Sequence, residues 1–148
     1  MQKPHMKTIS LMLGICLCFF EIAIAQNAIP KACEKSWKAF EENCGQKMKN
    51  LHSHIIEKSK NAPCVASSQC KTVGVGAKLC GGPGAYIPYS TTAANVRDFL
   101  NEANEFNELS RLGADLMSRD LGLVSDCAVV SDPGAVCLTN RCVLNIRQ

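Results

Sequence analysis

Apolar residues recur at steps of three and four along two long stretches of the chain, which is the period of an amphipathic helix. The first stretch covers residues 32–60 and the second covers residues 91–119. Gly45 interrupts the first stretch without shifting its phase, so the pattern predicts one helix with a kink at that point. The two apolar stripes consist of Cys33, Trp37, Phe40, Cys44, Met48, Leu51 and Ile55, and of Val96, Phe99, Ala103, Phe106, Leu109, Leu112 and Leu116.

Short runs of β-type residues follow each helical stretch. Residues 71–75 form one run, and three more lie within residues 126–146. The last two of these, on either side of residues 139–141, predict a hairpin. The sequence therefore predicts an α+β fold, in which two long amphipathic helices pack on one small antiparallel sheet.

The first 25 residues have the pattern of a secretory signal peptide. Lys3 and Lys7 precede an apolar run over residues 9–20, and Ala23-Ile24-Ala25 ends the segment with small residues at the cleavage positions. The apolar run is shorter than the roughly 20 residues that span a bilayer. We expect cleavage after Ala25, no transmembrane anchor, and a mature single domain of residues 26–148 that is secreted or periplasmic.

Cysteine is the residue that sets this chain apart: there are ten among 148 residues. Removing the leader removes two of them and leaves an even number in an exported protein, which predicts four disulfides. A zinc site would need closely paired ligands such as Cys-x2-Cys, and the sequence has none. The predicted disulfide cysteines are Cys33, Cys44, Cys64, Cys70, Cys80, Cys127, Cys137 and Cys142.

Two of these cysteines share one face of the first predicted helix. On an unbroken helix the Cα atoms of Cys33 and Cys44 lie about 16 Å apart. A disulfide requires Cα atoms within about 7 Å of each other. The sequence therefore predicts that Cys33 and Cys44 do not pair with each other, and that each joins the helix to another element.

The charge of the chain bears on its possible partners more than on its fold. The net charge of +3 argues against a nucleic-acid partner. Residues 26–78 hold nine Lys and four Glu, whereas residues 79–148 hold five Arg and eight acidic residues. A basic first helix binding an anionic membrane surface or polysaccharide is one alternative, although two solvated faces that partly neutralise each other are favoured. The lysines of that alternative are Lys31, Lys35, Lys38, Lys47 and Lys49.

The sequence predicts no catalytic residue, metal ligand or cofactor. His52 and His54 are two residues apart, so on a helix they point in different directions and cannot hold one ion together. No nucleophile motif is present, and an even number of cysteines argues against a free thiolate. A small secreted hydrolase with an unrecognised site is the enzymatic alternative. A pocket that joins a histidine to a carboxylate would favour it.

The best candidate for a binding surface is a glycine-rich segment followed by the only two tyrosines of the chain. Glycine permits unusual backbone conformations, and tyrosine is a common interface anchor. The nine-residue interval between Cys70 and Cys80 is similar to the disulfide-closed loops of small protease inhibitors, in which Lys78 would be the specificity residue for a trypsin-like enzyme. The predicted binding residues are Lys78, Gly81, Gly82, Pro83, Gly84, Tyr86 and Tyr89.

A wider set of motifs runs over residues 64–142. It comprises Cys-x5-Cys, Val-Gly-x-Gly, Cys-Gly-Gly-Pro, Ser-Asp-Cys and Pro-x3-Cys-x4-Cys. In these motifs the chain resembles small exported cysteine-rich proteins of Gram-negative bacteria, a group without an assigned activity. The resemblance implies an exported disulfide scaffold and adds nothing on activity. From the glycine-rich segment with its tyrosines and from the lack of a catalytic motif, we expect a non-enzymatic binding module that acts on a protein partner, such as a hydrolase inhibitor or a secreted factor.

Overall fold

Three α-helices and four strands make up the part of the chain that the computed structural model describes, residues 28–146. The predicted signal peptide lies outside these residues. The predicted α+β class is confirmed, but with three helices instead of two and two small sheets instead of one. The elements are α1 (Trp37–Asn43), α2 (Gly45–Lys60), β1 (Cys70–Val75), β2 (Ala85–Ser90), α3 (Val96–Leu121), β3 (Ala135–Leu138) and β4 (Arg141–Leu144), with 3-10 turns at Lys31–Glu34 and Ser67–Gln69.

The first predicted helix is interrupted twice. Its kink falls at Gly45, as expected, but a second break at Ser36 separates α1 from the preceding 3-10 turn. Ser36 has extended backbone angles, and its Oγ accepts a hydrogen bond from the N–H of Ala39 at 3.1 Å, which is an N-cap. The chain turns back at this cap, so the Cα atoms of Cys33 and Cys44 lie 5.9 Å apart and the two residues form a disulfide. The prediction that they pair elsewhere is wrong because it assumed one unbroken helix.

The other three disulfides join residues that are distant in sequence. The predicted number of four is confirmed. Cys70 and Cys80 are not bonded to each other, so the predicted disulfide-closed loop between them does not exist. The pairs are Cys64–Cys137, Cys70–Cys142 and Cys80–Cys127.

Each sheet is a two-stranded antiparallel hairpin. In the first, β1 pairs with β2, so that Cys70 lies opposite Ser90 and Val75 lies opposite Ala85. In the second, β3 pairs with β4. The backbone φ angles of the two turn residues, Thr139 (+47°) and Asn140 (+60°), are typical of a type I′ turn, which confirms the predicted C-terminal hairpin.

Two predicted strand features are wrong. The strand at residues 71–75 pairs with β2, and it does not extend the C-terminal sheet. Residues 127–130 form no strand, because Cys127 has a φ of +53° and the Asp126 side chain accepts a hydrogen bond from the N–H of Ala128 at 3.1 Å. Such local side-chain-to-backbone bonds compete with strand pairing.

The core consists of three clusters, and both predicted apolar stripes face them. The first lies between the helices and includes Phe40, Leu109 and Leu116. The second, around Ile55, Ile87 and Phe99, packs the helices on the first hairpin. The third contains Ala62, Cys64, Cys70 and Cys142, so it is built largely of disulfide sulfur.

The second long helix also differs from its prediction at one end. α3 begins at Val96 instead of residue 91, because Ser90 still belongs to β2. It ends where expected, with Gly122 in the left-handed conformation at a φ of +65°. Among residues 28–146, no helix is both long enough and apolar enough to cross a membrane.

Candidate functional site

The connection between β1 and β2, residues 76–84, is a well-ordered loop. Asn107 of α3 holds its base: the Asn107 Oδ1 accepts from the N–H of Gly76 at 2.8 Å, and its Nδ2 donates to the carbonyl of Gly74 at 2.9 Å. Gly81 and Gly82 both have positive φ angles (+87° and +79°), which only glycine adopts without strain. We call residues 76–84 the first loop.

A second loop, residues 122–134, is attached to the first by a covalent bond and by an ion pair. The covalent bond is Cys80–Cys127. The ammonium of Lys78 donates to Asp126 Oδ1 at 3.0 Å and to the carbonyl oxygen of Ala128 at 2.6 Å. We call the two segments together the paired loops.

The anchors of the second loop also affect its electrostatics. The N–H of Ala128 and the ammonium of Lys78 both stabilise the charged form of Asp126, so the pKa of that carboxyl lies below its ordinary value. Near the far end of the loop, the hydroxyl of Thr72 donates to Asp132 at 2.8 Å. The second loop is therefore tied at its middle, residues 126–128, to the first loop and near its far end, at Asp132, to β1.

The second loop and the adjoining end of α3 expose large aliphatic side chains on both sides of the anchor at residues 126–128. Val124 is 89% exposed and Val129 is 91% exposed. Leu121 and Leu123 are about half exposed, at 53% and 48%. The sequence predicts a strand at residues 127–130, which gives no indication that this segment is an exposed loop. The turn residues Gly122 and Asp132-Pro133-Gly134 on either side of the segment do indicate a loop.

The structure brings most of the predicted binding residues together, but not all of them. A cleft of about 520 Å³ at the first loop is lined by five of the seven, and Gly84 closes that loop by donating its N–H to the carbonyl of Val75 at 3.0 Å. Tyr89 is separate because it faces the opposite side of β2, where its ring packs against Phe99 with centroids 5.6 Å apart. The five residues in the cleft are Lys78, Gly81, Gly82, Pro83 and Tyr86.

The side chain of Lys78 is occupied within the protein. It is only 21% exposed, and its ammonium bonds to Asp126 and to the carbonyl of Ala128. A specificity lysine of a protease inhibitor must instead extend into the protease. Together with the missing Cys70–Cys80 bond, this geometry gives the inhibitor-loop interpretation no support.

A second concave site lies on the other side of β2, among α2, the end of β2 and the start of α3. Its volume is about 460 Å³, which is in the usual range for small-molecule sites. Its wall includes the aromatic rings of Tyr89 and Phe99. We call it the α2–α3 pocket. Its lining residues are His54, Glu57, Lys58, Asn61, Ala62, Tyr89, Ser90, Ala93, Asn95, Val96, Phe99 and Glu102.

The most unusual atom of this pocket belongs to Glu102. Its Oε1 forms a salt bridge with the ammonium of Lys58 at 2.9 Å. Its Oε2 is shielded from solvent and accepts no hydrogen bond from any described residue. Buried carboxylate oxygens nearly always have a donor, so this one marks a position at which a donor would be stabilising. Nothing in the sequence pattern distinguishes Glu102 from the other acids of α3.

The pocket also joins a histidine to carboxylates, since His54 lines it together with Glu57 and Glu102. No hydrogen bond connects His54 to either acid, or to a serine, among residues 28–146. Ser90 is buried, and its hydroxyl interacts with that of Thr92 at 3.0 Å. The pocket thus brings a histidine beside carboxylates, the arrangement that favours the hydrolase alternative, but within residues 28–146 it holds no hydrogen-bonded pair of base and nucleophile.

Two further alternatives can be compared with the geometry. The sulfur atoms of Cys64, Cys70 and Cys142 lie within 4.8 Å of one another, but each belongs to a disulfide and offers no thiolate to a metal. The lysines of the alternative basic face are divided between the 3-10 turn, the two-residue link that follows it, α1 and α2. Lys38 pairs with Glu42 at 3.9 Å, and Lys47 pairs with Glu105 of α3.

The four disulfides fit an extracellular or otherwise oxidising compartment. No protein family, no curated protein and no solved structure matches this chain.

Proposed function

We propose that this protein is an exported, non-enzymatic binding module that recognises a protein partner through the paired loops. The observation that carries the proposal is the exposure of Val124 and Val129, at 89% and 91%, beside the anchors of the second loop. Val129 lies between the anchors at Cys127 and Asp132, and Val124 lies between the end of α3 and the anchor at Cys127. Single exposed aliphatic residues are ordinary on protein surfaces. Several within residues 121–129, on a tethered loop, are typical of an interaction surface.

Pre-organisation supports the same conclusion. A loop that is mobile before binding loses conformational entropy when a partner orders it. The Cys80–Cys127 bond and the contacts of Lys78 remove much of that cost in advance. The first loop, with Gly81, Gly82 and Pro83, would form the flank of this surface, and Tyr86 would lie at its base.

Export is supported by the predicted leader over residues 1–25 and by the disulfides. Each long-range disulfide can stabilise a small domain by about 2–4 kcal/mol, provided that the compartment is oxidising. A secreted or periplasmic location gives these bonds the conditions they need.

The proposal is tested by affinity capture from the growth medium and periplasm of the source cells, with the oxidised mature protein as bait. The double variant Val124→Asp/Val129→Asp should recover the partner less well, with binding weakened by more than about 1 kcal/mol. Its melting temperature should not change, since exposed substitutions usually alter stability by less than about 0.5 kcal/mol.

The matched control is Val65→Asp, which introduces the same charge at a valine that is 86% exposed beside Cys64, at the opposite end of β1. It should capture the partner as the unmodified protein does. Equal capture by the loop variant and the control variant would refute the proposal, and so would a bait that captures nothing with either protein.

A further inference from the structure

The α2–α3 pocket shares no lining residue with the paired loops, and it has a different chemical character. Two carboxylates, those of Glu57 and Glu102, and one ammonium, that of Lys58, line it. These three groups together leave an excess of negative charge in the pocket. A neutral or anionic occupant would leave that excess unbalanced, whereas a monovalent cation would neutralise it.

Only one of the two oxygens of the Glu102 carboxylate has a partner. Oε1 forms a salt bridge with the ammonium of Lys58, while Oε2 has no hydrogen-bond donor among the described residues. The terminal torsion of a glutamate side chain is soft. Rotation about this torsion moves both oxygens together and can present the carboxylate, which lines the pocket beside Lys58, to an occupant.

The rest of the wall suits an apolar body attached to such a cation. The ring of Tyr89 is partly exposed and packs against the buried ring of Phe99, with centroids 5.6 Å apart and a tilt of 32°. Aromatic faces attract cations as well as apolar groups. The hydroxyl of Ser59 donates to the carbonyl of Pro88 at 2.7 Å, which fixes α2 to β2 and makes this wall rigid.

We propose that the α2–α3 pocket binds a small organic cation, namely a primary ammonium, amidinium or guanidinium group on an aromatic or aliphatic body. The nitrogen donates to Oε2 of Glu102, Glu57 contributes to the negative potential, and the body packs against Tyr89 and Phe99. The volume of about 460 Å³ limits the ligand to the size of ordinary metabolites.

The test is a nuclear magnetic resonance titration of the oxidised, isotope-labelled protein with phenethylammonium, and with phenethyl alcohol as its neutral counterpart. Phenethylammonium should shift the resonances of Tyr89, Phe99 and Glu102 in a saturable way. The affinity for the alcohol should be lower by at least about tenfold, because the alcohol lacks the charged hydrogen bond. Equal binding of the two probes, or no saturable shift with either, would overturn the proposal.

Substitutions of single glutamates test whether phenethylammonium binds in the α2–α3 pocket. Glu102→Gln keeps the shape and an acceptor for Lys58 but removes the charge, so affinity for phenethylammonium should fall about tenfold or more. The matched control is Glu108→Gln, which removes the same charge two turns further along α3 and should leave the affinity unchanged. Glu57→Gln, at an exposed position, should weaken binding severalfold and serves if Glu102→Gln does not fold. Unchanged affinity in both pocket variants would contradict the assignment.

The same cationic chemistry could come from a lysine side chain of a bound protein. A short blocked lysine peptide, titrated in parallel, separates the two sources. Weaker binding of the peptide than of phenethylammonium supports a free small molecule. Tighter binding would overturn the small-molecule assignment.

Discussion

The helical part of this protein and its C-terminal hairpin are stabilised by different means. In the helical part, α1, α2 and α3 bury Phe40, Leu109 and Leu116 almost completely, and the one disulfide spans only 11 residues. Around the hairpin of β3 and β4, the buried cluster contains no side chain larger than cysteine. Two disulfides that span 73 and 72 residues enter this cluster. Where too little apolar surface is available for a core, covalent bonds take its place.

The largest effect should come from removing both disulfides of the hairpin region together. A chain that keeps Cys64–Cys137 already holds Cys70 near Cys142, so the second bond closes only a short ring and a single deletion understates the contribution of the pair. Loop-closure entropy gives about 2.8 kcal/mol for Cys33–Cys44, which closes 11 residues. Replacing all four cysteines of the hairpin region by Ala should therefore lower the free energy of unfolding, measured by denaturant titration, more than Cys33→Ala/Cys44→Ala does. The reverse order would show that the hairpin region does not depend on its covalent bonds as proposed.

The second prediction disrupts the helical part. Phe40 is fully buried, and its ring packs closely against Gly113. A Cβ atom at position 113 would lie only 3.3 Å from this ring, so the contact depends on the glycine. Phe40→Ala should cost about 4 kcal/mol of unfolding free energy, measured by denaturant titration. The control in the hairpin region is Leu138→Ala, at a residue that is 60% exposed. It should change stability by less than about 0.5 kcal/mol, and a loss equal to that of Phe40→Ala would contradict the contrast.

The smallest expected effect is on the pH dependence of stability, and it arises from the ion pair between Lys78 and Asp126 that joins the paired loops. In the folded protein, the N–H of Ala128 and the ammonium of Lys78 lower the pKa of Asp126 below its ordinary value of 3.8. A lowered folded-state pKa adds stability above the unfolded value, and that stability is lost as the pH falls through the folded value. The unmodified protein should therefore melt slightly higher than Asp126→Asn at neutral pH.

In acid, well below pH 3.8, the difference between these two proteins should disappear. The readout is the melting temperature as a function of pH. Asp115→Asn, at an exposed carboxylate outside the first and last turns of α3, is the control for a simple change of net charge. A difference between the unmodified protein and Asp126→Asn that persists unchanged in acid would exclude the electrostatic contribution of Asp126.

Sequence reasoning found the features that local periodicity determines. Both apolar stripes, the kink at Gly45, the turn after Leu121 and the hairpin around residues 139–140 follow from spacing and turn chemistry. It missed the N-cap at Ser36, and with it the Cys33–Cys44 bond, because an apolar stripe continued in phase across the break.

Features that depend on tertiary contacts could not be predicted from the sequence. β2 contains Pro88, which argues against a strand from sequence, yet a strand of a two-stranded sheet has a free edge and tolerates it. Eight cysteines allow 105 pairings, and only the fold selects among them. The same holds for Glu102, whose unpaired oxygen results from the packing of α2 against α3.

The order of the cysteines along the chain has a consequence for biogenesis. Polypeptides are synthesised from the amino end, so Cys33–Cys44 can be oxidised early, whereas Cys64 and Cys70 have to wait for Cys137 and Cys142 near the end of the 148 residues. Once all of them are present, the sulfurs of Cys64, Cys70 and Cys142 lie within 4.8 Å, close enough for thiol–disulfide exchange. Before the last bond forms, a free thiolate on one of the three can attack a bond made by another, so we expect wrong pairings in this cluster to be exchanged for the native ones during oxidation, and a disulfide isomerase to speed that exchange.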